Sequence, residues 1–428
     1  MNKRKKRQRS KKKKGIVILV FIVCVVMAGI CAVGMGLKER QAKDSEEEAG
    51  KKEQKENVQS DGQEEAPDEV KTPEKTPEEL LKEEVEALTL EEKTAQIFMV
   101  TPEQLTGVGV AVAAGDVTRQ AVDDYPVGGI IYFRQNLQSP EQVEEMLSNV
   151  QSYTRERIGV PMLLAIDEEG GQVTRISGTQ GFDVPEFPYM SEVAKGGDPQ
   201  KVREIGEQIG AYLKEYGFNM DFAPDADVLI NPQNQVVRYR SFGADPELVS
   251  AMALAQFEGL KSQGIVGTYK HFPGHGGTTA DTHEGYGYIE TTIEELRERE
   301  MVPFRDGIDA GVQVIMAGHI SCPNITGDTR PATLSPMLLQ QILREEMGFE
   351  GMVITDAMNM GAITQQYSSG QAAVEAVKAG VDMILMPEDF KAAYQGILDA
   401  VKSGELTEER LTESVCRIWK VKKGLENE

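Results

Sequence analysis

The chain has 428 residues, of which 40% are hydrophobic, with 42 glycines and 19 prolines. That is enough for one large α/β domain with a sizeable core. Its 46 basic and 69 acidic side chains give a formal charge of −23, which argues against nucleic acid as a main partner, because phosphate binding needs a basic surface.

The charge is partitioned along the chain. Residues 1–14 form a basic segment with ten basic and no acidic side chains, and residues 15–37, Gly15 to Leu37, are an uncharged run of 23. As a helix such a run spans about 30 Å of hydrocarbon, and no polar stripe marks it as a core helix. Basic residues ahead of it predict a cytoplasmic N-terminus and an exported remainder. The apolar core of a signal peptide is usually shorter, so the expectation is a single-pass anchor in the cell membrane with the domain outside. Cleavage near Gly34 and Gly36 would instead release it as a secreted protein.

Residues 38–79 carry 8 basic and 15 acidic side chains and no aromatic residue. They predict a disordered linker holding the domain away from the bilayer, and Thr76-Pro77 predicts the start of a helix. The remaining −26 belongs to residues 80–428. Of four cysteines, Cys24 and Cys31 fall in the apolar run. Cys322 and Cys416 show no disulfide or CxxC pattern and read as buried free thiols.

From about residue 85 a unit recurs: an amphipathic stretch, a glycine, then a short apolar run ending in polar residues. The runs are Phe218 to Pro224, Ile265 to His271, Val312 to His319, Met352 to Asp356 and Asp382 to Pro387, with earlier candidates Gly128 to Phe133 and Pro161 to Asp167. At least seven strands alternating with helices predict a parallel α/β fold. No GxGxxG or P-loop follows the first strand, which favours a closed (β/α)8 TIM-type barrel over an open nucleotide-binding sheet. In a barrel the working residues cluster where strands end.

Those ends present Asp167, Asp225, Lys270 with His271, His319 and Asp356. Charged groups directly after apolar strands are costly to bury without partners, and their convergence predicts a site. The chain has four histidines, three of them in the segment 270–283. There Gly274, Gly276 and Gly277 predict a loop that can move. In an extended stretch Asp281 and His283 project to one side, as a carboxylate orienting an imidazole for acid/base work. His271, His275, His283 and Asp281 equally suit a zinc or iron centre, and the residues leave both readings open. Arg175 and Arg240 suit a bidentate ligand clamp or pairing with surface acids. An isolated Asp356 is most commonly a helix cap.

Together these residues resemble the family 3 glycoside hydrolases, and within them the single-domain β-N-acetylglucosaminidases. The resemblance runs from Leu88-Thr-Leu-Glu-Glu-Lys93 to the C-terminal helix. It is carried by Ala165-Ile-Asp-Glu-Glu-Gly-Gly-Gln-Val-Thr-Arg175, Arg240-Ser-Phe-Gly243, Lys270-His-Phe-Pro-Gly-His-Gly276 with Asp281-Thr-His283, and Val353-Ile-Thr-Asp356. It implies a retaining mechanism with Asp356 as nucleophile and His283, oriented by Asp281, as acid/base; most retaining glycosidases use two carboxylates instead. It further implies that Asp167, Arg175, Arg240, Lys270 and His271 hold sugar hydroxyls and the N-acetyl group, with no metal or other cofactor. The implied partner is a glycan containing N-acetylglucosamine, and export points to cell-wall fragments. Two positions depart from the pattern: Glu168 stands where glutamine is common, and Arg238 where glycine is. The related broad β-glucosidases continue into a second domain that supplies a carboxylate, whereas this sequence ends soon after its last barrel helix and has Asp281 and His283. The alternatives are a metal-dependent hydrolase on the same barrel, a broad β-glucosidase, and a glycan-binding protein without catalysis.

Overall fold

The computed structural model describes residues 75–278 and 287–426, within a compact unit running from Glu74 to Glu428. The basic block, the apolar run and nearly all of the linker lie outside the described residues, as do Asp281 and His283. Among the described residues no helix is long and apolar enough to cross a membrane.

Eight short strands form the centre: β1 Phe98–Val100, β2 Gly129–Ile131, β3 Leu163–Ile166, β4 Met220–Asp221, β5 Val266–Phe272, β6 Val314–Ala317, β7 Met352–Thr355 and β8 Ile384–Leu385. Each is parallel to its neighbour in chain order from β1 to β7. β8 returns to β1 through Phe98↔Ile384 and Met99↔Leu385. The β7–β8 seam is thinner: one bridge, Ile354↔Met383, reinforced by Thr355 N–H donating to the Met383 carbonyl at 3.0 Å. The result is a nearly closed parallel barrel, as the alternation of runs and glycines predicts. Every residue of all eight strands is buried, which is why the runs lack a period-two pattern: side chains face the lumen on one side and the helices on the other.

Local chemistry sets the helix boundaries. Ser139-Pro140, Asp198-Pro199 and Asp245-Pro246 open three long helices, Pro140–Ile158, Pro199–Glu215 and Pro246–Ser262, and each cap oxygen accepts an N–H of the first turn. Thr76-Pro77 opens Pro77–Glu86 with a reciprocal Thr76–Glu79 capping box. After the helix at 199–215, Gly217 adopts φ 93°, a conformation costly for any residue with a Cβ.

β1 is absent from the sequence reading. It is only three residues long and sits between the helix Leu90–Gln96 and Thr101-Pro102, so its apolar run merges with the amphipathic pattern before it. β4 pairs over two residues instead of the run expected from Phe218 to Pro224, and its end, Asp221, is itself buried.

The C-terminal helix Glu408–Gly424 buries Leu411, Val415, Ile418 and Lys422, the positions its spacing selects. Lys422 has no exposed surface, and its Nζ donates to Gln96 Oε1 at 2.9 Å, an oxygen that also accepts Trp419 Nε1 at 2.8 Å. Burial lowers its ammonium from the ordinary 10.5 to about 7. The unfolded chain therefore binds a proton that the folded chain resists, and stability rises with pH between about 7 and 10.5. Lys422→Met should raise Tm at pH 6 to 7, with the gain over wild type shrinking as pH approaches 10. A pH-independent difference in thermal melts would refute a charge-burial cost.

Candidate active site

A cavity of about 570 Å³ opens where β3, β5, β7 and β8 end. Its floor is apolar (Ile131, Phe222, Met316, Leu385), and its polar wall is Asp167, Arg175, Arg240, Lys270, His271, His275 and Asp356. The six expected site residues that fall within the described chain thus converge, each carried by a strand end or by the loop just after one. Asp225 and His319, also expected at strand ends, are buried behind this wall and do not line it.

The wall is a chain of alternating charges. Arg175 Nη2 donates to Asp167 Oδ2 at 3.0 Å, and Lys270 Nζ donates to Asp167 Oδ1 at 3.0 Å. Lys270 Nζ also lies 2.6 Å from Glu169 Oε1. Arg240 closes the chain with a two-pronged bond to Glu169, Nε to Oε2 at 2.9 Å and Nη2 to Oε1 at 2.7 Å. Neither arginine pairs with a surface acid. Glu169 is 1% exposed. Burial would raise its carboxyl, but Arg240 and Lys270 outweigh burial and hold it far below the ordinary range. Burial likewise opposes the Lys270 charge, and Glu169 with Asp167 more than restores it.

Behind Arg240 lies a second tier. Asp227 Oδ2 is 2.7 Å from His271 Nδ1, and Asp227 Oδ1 accepts the backbone N–H of His275 at 2.5 Å. Arg240 Nη2 donates toward His271 Nε2 at 3.3 Å, so Nδ1 carries the proton and donates to Asp227. Burial would raise Asp227, but His271 holds it at about 2. Its neighbour Asp225 is raised well above the ordinary value by burial, then by the Asp227 charge. Burial takes His275 down to about 4.

Asp225, Asp227 and His271 offer donor atoms within 4.8 Å of one another. Most of those donors are already engaged, Asp225 Oδ2 being the one without a hydrogen bond. Asp227 binds two N–H groups and the imidazole, Asp225 accepts the Asp227 N–H, and the Arg240 guanidinium lies 3.4 Å from Asp225. The histidines of the proposed metal set, His271 and His275, are edge to face at 5.8 Å, with His271 committed to Asp227 and Arg240. The described part of that set is built to hold protons and an arginine.

Asp356 differs from Asp167. It is partly open to the cavity and, among the described residues, its carboxylate accepts only the Ala357 N–H, to Oδ1 at 2.7 Å. Burial would raise it, but His271, His319, that N–H and Lys270 outweigh burial and keep it below the ordinary carboxylate range.

The sequence reading passed over Glu169 and Asp227, because each acts on another side chain and not on the cavity. A signal for Glu169 existed in its place beside Asp167 at the end of β3. Glu168, the departure from the glutamine pattern, has a structural role: it accepts the N–H groups of Arg175, Ile176 and Ser177 at 2.6, 2.9 and 2.9 Å and the Tyr212 hydroxyl at 3.0 Å. It folds the 170–177 loop back so that Arg175 reaches Asp167. Arg238, the other departure, is exposed and stacks over Tyr239 at 4.4 Å; Glu169 fixes Arg240 independently of it. The glycine-rich loop is packed, at least to residue 278. A Cβ on Gly276 would lie 1.8 Å from the Val228 carbonyl, and Asn231 and Asn234 bond the loop's carbonyls at 2.9 and 3.0 Å. Close approach, not freedom to move, explains glycine there.

Residues 89–421 match the glycosyl hydrolase family 3 N terminal domain, and the chain belongs to that family. It is 32% identical over 325 residues to "Beta-hexosaminidase A" of Pseudoalteromonas piscicida, covering 71% of this chain and 54% of that protein, so it spans about half the length of this relative. It is 31% identical over 327 residues to "Beta-hexosaminidase LpqI" of Mycobacterium tuberculosis, covering 74% and 81%. A solved glycoside hydrolase family 3 β-N-acetylglucosaminidase from a Paenibacillus species superposes with a TM-score of 0.74 at 38% identity, over 79% of this chain and 63% of that one.

Glu169→Ala should leave Arg240 and Lys270 buried without their shared counter-ion and cost about 3–5 kcal/mol. Because Glu169 is depressed in the folded state, its contribution is present above pH about 4.5 and is lost as pH falls. The wild-type and variant stabilities should therefore converge in acid. Urea titrations at pH 7 and pH 3.5 that show equal differences would contradict this.

Proposed function

We propose that this chain is a retaining β-N-acetylglucosaminidase that hydrolyses terminal, non-reducing β-linked N-acetylglucosamine or related N-acetylhexosamine residues. The family membership and the names of the relatives support the class. One observation carries the assignment of roles: of the two carboxylates lining the cavity, Asp167 is ion-paired twice, whereas Asp356 has no ion pair among the described residues. An ionised carboxylate with an uncommitted oxygen at a barrel mouth suits a nucleophile.

In this reading an Asp356 oxygen attacks the anomeric carbon as its bond to the leaving oxygen breaks, giving a glycosyl ester. His283, oriented by Asp281, gives its proton to the leaving oxygen. It then takes a proton from water as the water oxygen bonds to the anomeric carbon and the bond from that carbon to the Asp356 oxygen breaks, releasing the sugar and the Asp356 carboxylate. Asp281 and His283 lie outside the described residues, so their part rests on the motif. Asp167, Arg175, Arg240, Lys270 and His271 hold the sugar. Their mutual salt bridges fix them before substrate arrives, so little reorganisation is needed on binding.

The expected outcome with the full chain is cleavage of an aryl β-N-acetylglucosaminide in preference to an aryl β-glucoside, undiminished by exhaustive chelation. Asp356→Ala should lower kcat by at least about 10⁴-fold. His283→Ala should slow poor leaving groups more than activated aryl ones. No cleavage of either substrate would end the proposal, and loss of activity on chelation would favour the metal-dependent reading.

The 23-residue uncharged run behind ten basic residues supports a membrane-anchored protein with its domain outside the cell, where cell-wall fragments are the available substrate. The full chain should sediment with membranes and be released by detergent but not by high salt. Release by salt alone would refute a spanning anchor.

A further inference from the structure

His319 stands two residues beyond β6, with no exposed surface and no share in the cavity wall. Its Nε2 lies 3.0 Å from the Ala357 carbonyl, and its Nδ1 lies 2.9 Å from Thr333 Oγ1. A carbonyl can only accept, so Nε2 carries a proton and donates to it. In the neutral ring Nδ1 accepts the Thr333 hydroxyl proton; in the imidazolium it donates to the hydroxyl oxygen. Because the hydroxyl rotates, both bonds survive either charge state.

Ala357 is also the residue whose N–H donates to Asp356 Oδ1 at 2.7 Å. The single donor that the described residues place on that carboxylate is therefore mounted on the residue that His319 grips from the other side. The Asp356 N–H donates in turn to the Ala317 carbonyl at 2.8 Å, which fixes the near end of the turn to β6. The mount under His319 is firm as well: Ile320–Ser321 pairs in parallel with Gly287–Tyr288, and Ser321 Oγ donates to the Thr329 carbonyl at 2.7 Å. Between the two histidines, a Cβ on Gly318 would come within 3.1 Å of His271 Cβ. The charged or titratable groups acting on Asp356 are Lys270 and His271 from β5 and His319 from beyond β6.

We propose that His319, held by Thr333, is a positioning residue that locks the Asp356–Ala357 turn and so fixes the attacking carboxylate against the sugar. This rests on the reading of Asp356 as nucleophile. A nucleophile must be held within a fraction of an ångström of its attack geometry, and Asp356, having no ion pair among the described residues, depends on its own backbone turn.

The test uses the full chain and an aryl β-N-acetylglucosaminide, with kcat, KM and the pH profile of kcat/KM measured for His319→Ala, His319→Gln and Thr333→Val. His319→Ala should lose about 10- to 100-fold in kcat with KM within about threefold. His319→Gln, whose amide can still donate to the Ala357 carbonyl, should recover most of kcat. It lacks the ring's charge, so Asp356 protonates more readily and the acid limb of kcat/KM moves to higher pH. Thr333→Val should fall between. Wild-type kcat and an unmoved acid limb in folded His319→Gln and Thr333→Val would overturn the proposal, as would a lowered Tm with no movement of the limb. These two variants decide the matter even if His319→Ala fails to fold. Asp356→Ala separates the two readings: activity retained there defeats the nucleophile assignment, whereas an inactive Asp356→Ala beside wild-type-like His319 variants defeats only this inference.

Discussion

Glu169 is an ionised carboxylate with 1% exposure at the mouth of the barrel. An isolated charge in such a place costs many kcal/mol, and here Arg240 and Lys270 meet it at 2.6 to 2.9 Å. Lys270 extends the pairing to Asp167, and Asp167 extends it to Arg175. The sequence Arg–Asp–Lys–Glu–Arg runs across β3, β5 and the loop after β4. Short parallel strands supply few ladder bonds, and β4 pairs over only two residues. The ionic chain ties these strand ends together above the barrel.

Rigidity of this kind has a chemical consequence. The side chains expected to meet a sugar are bonded to each other first, so binding does not have to order them. Asp227 extends the principle one layer deeper by fixing the His271 tautomer, and its hold on the His275 backbone ties the glycine-rich loop to the same carboxylate. Two acids with no surface in the cavity thus decide how the visible ones point.

This arrangement also explains what could be read from the sequence. Seven of the eight strands and the strand-end positions of Asp167, Lys270, His271 and Asp356 were legible, because fully covered strands are apolar throughout and barrel chemistry sits where they end. β1 was not, being three residues against a helix with the same composition. Glu169 and Asp227 were hidden for a different reason. A residue that acts through another side chain leaves no spacing pattern, since its partner, 71 or 44 positions away, is set by the barrel's closure. The constraint on Gly276 was hidden similarly: a glycine demanded by a backbone pressing on its Cα looks the same in sequence as one that grants freedom.

Asp356 gains its character from what the other charges are doing. Among the described residues Arg175, Arg240 and Lys270 are the arginines and lysine lining the cavity, and Asp167 and Glu169 take all three into contact pairs. Among the described residues none is left to form a contact pair with Asp356, so its oxygens are not tied to a guanidinium or ammonium. Lys270 still acts on it from a distance and, with His271, His319 and the Ala357 N–H, keeps it ionised despite burial. A carboxylate stays an anion without a contact pair when the positive charge near it is held at a distance by other acids. Glu169 and Asp167 do that holding for Asp356.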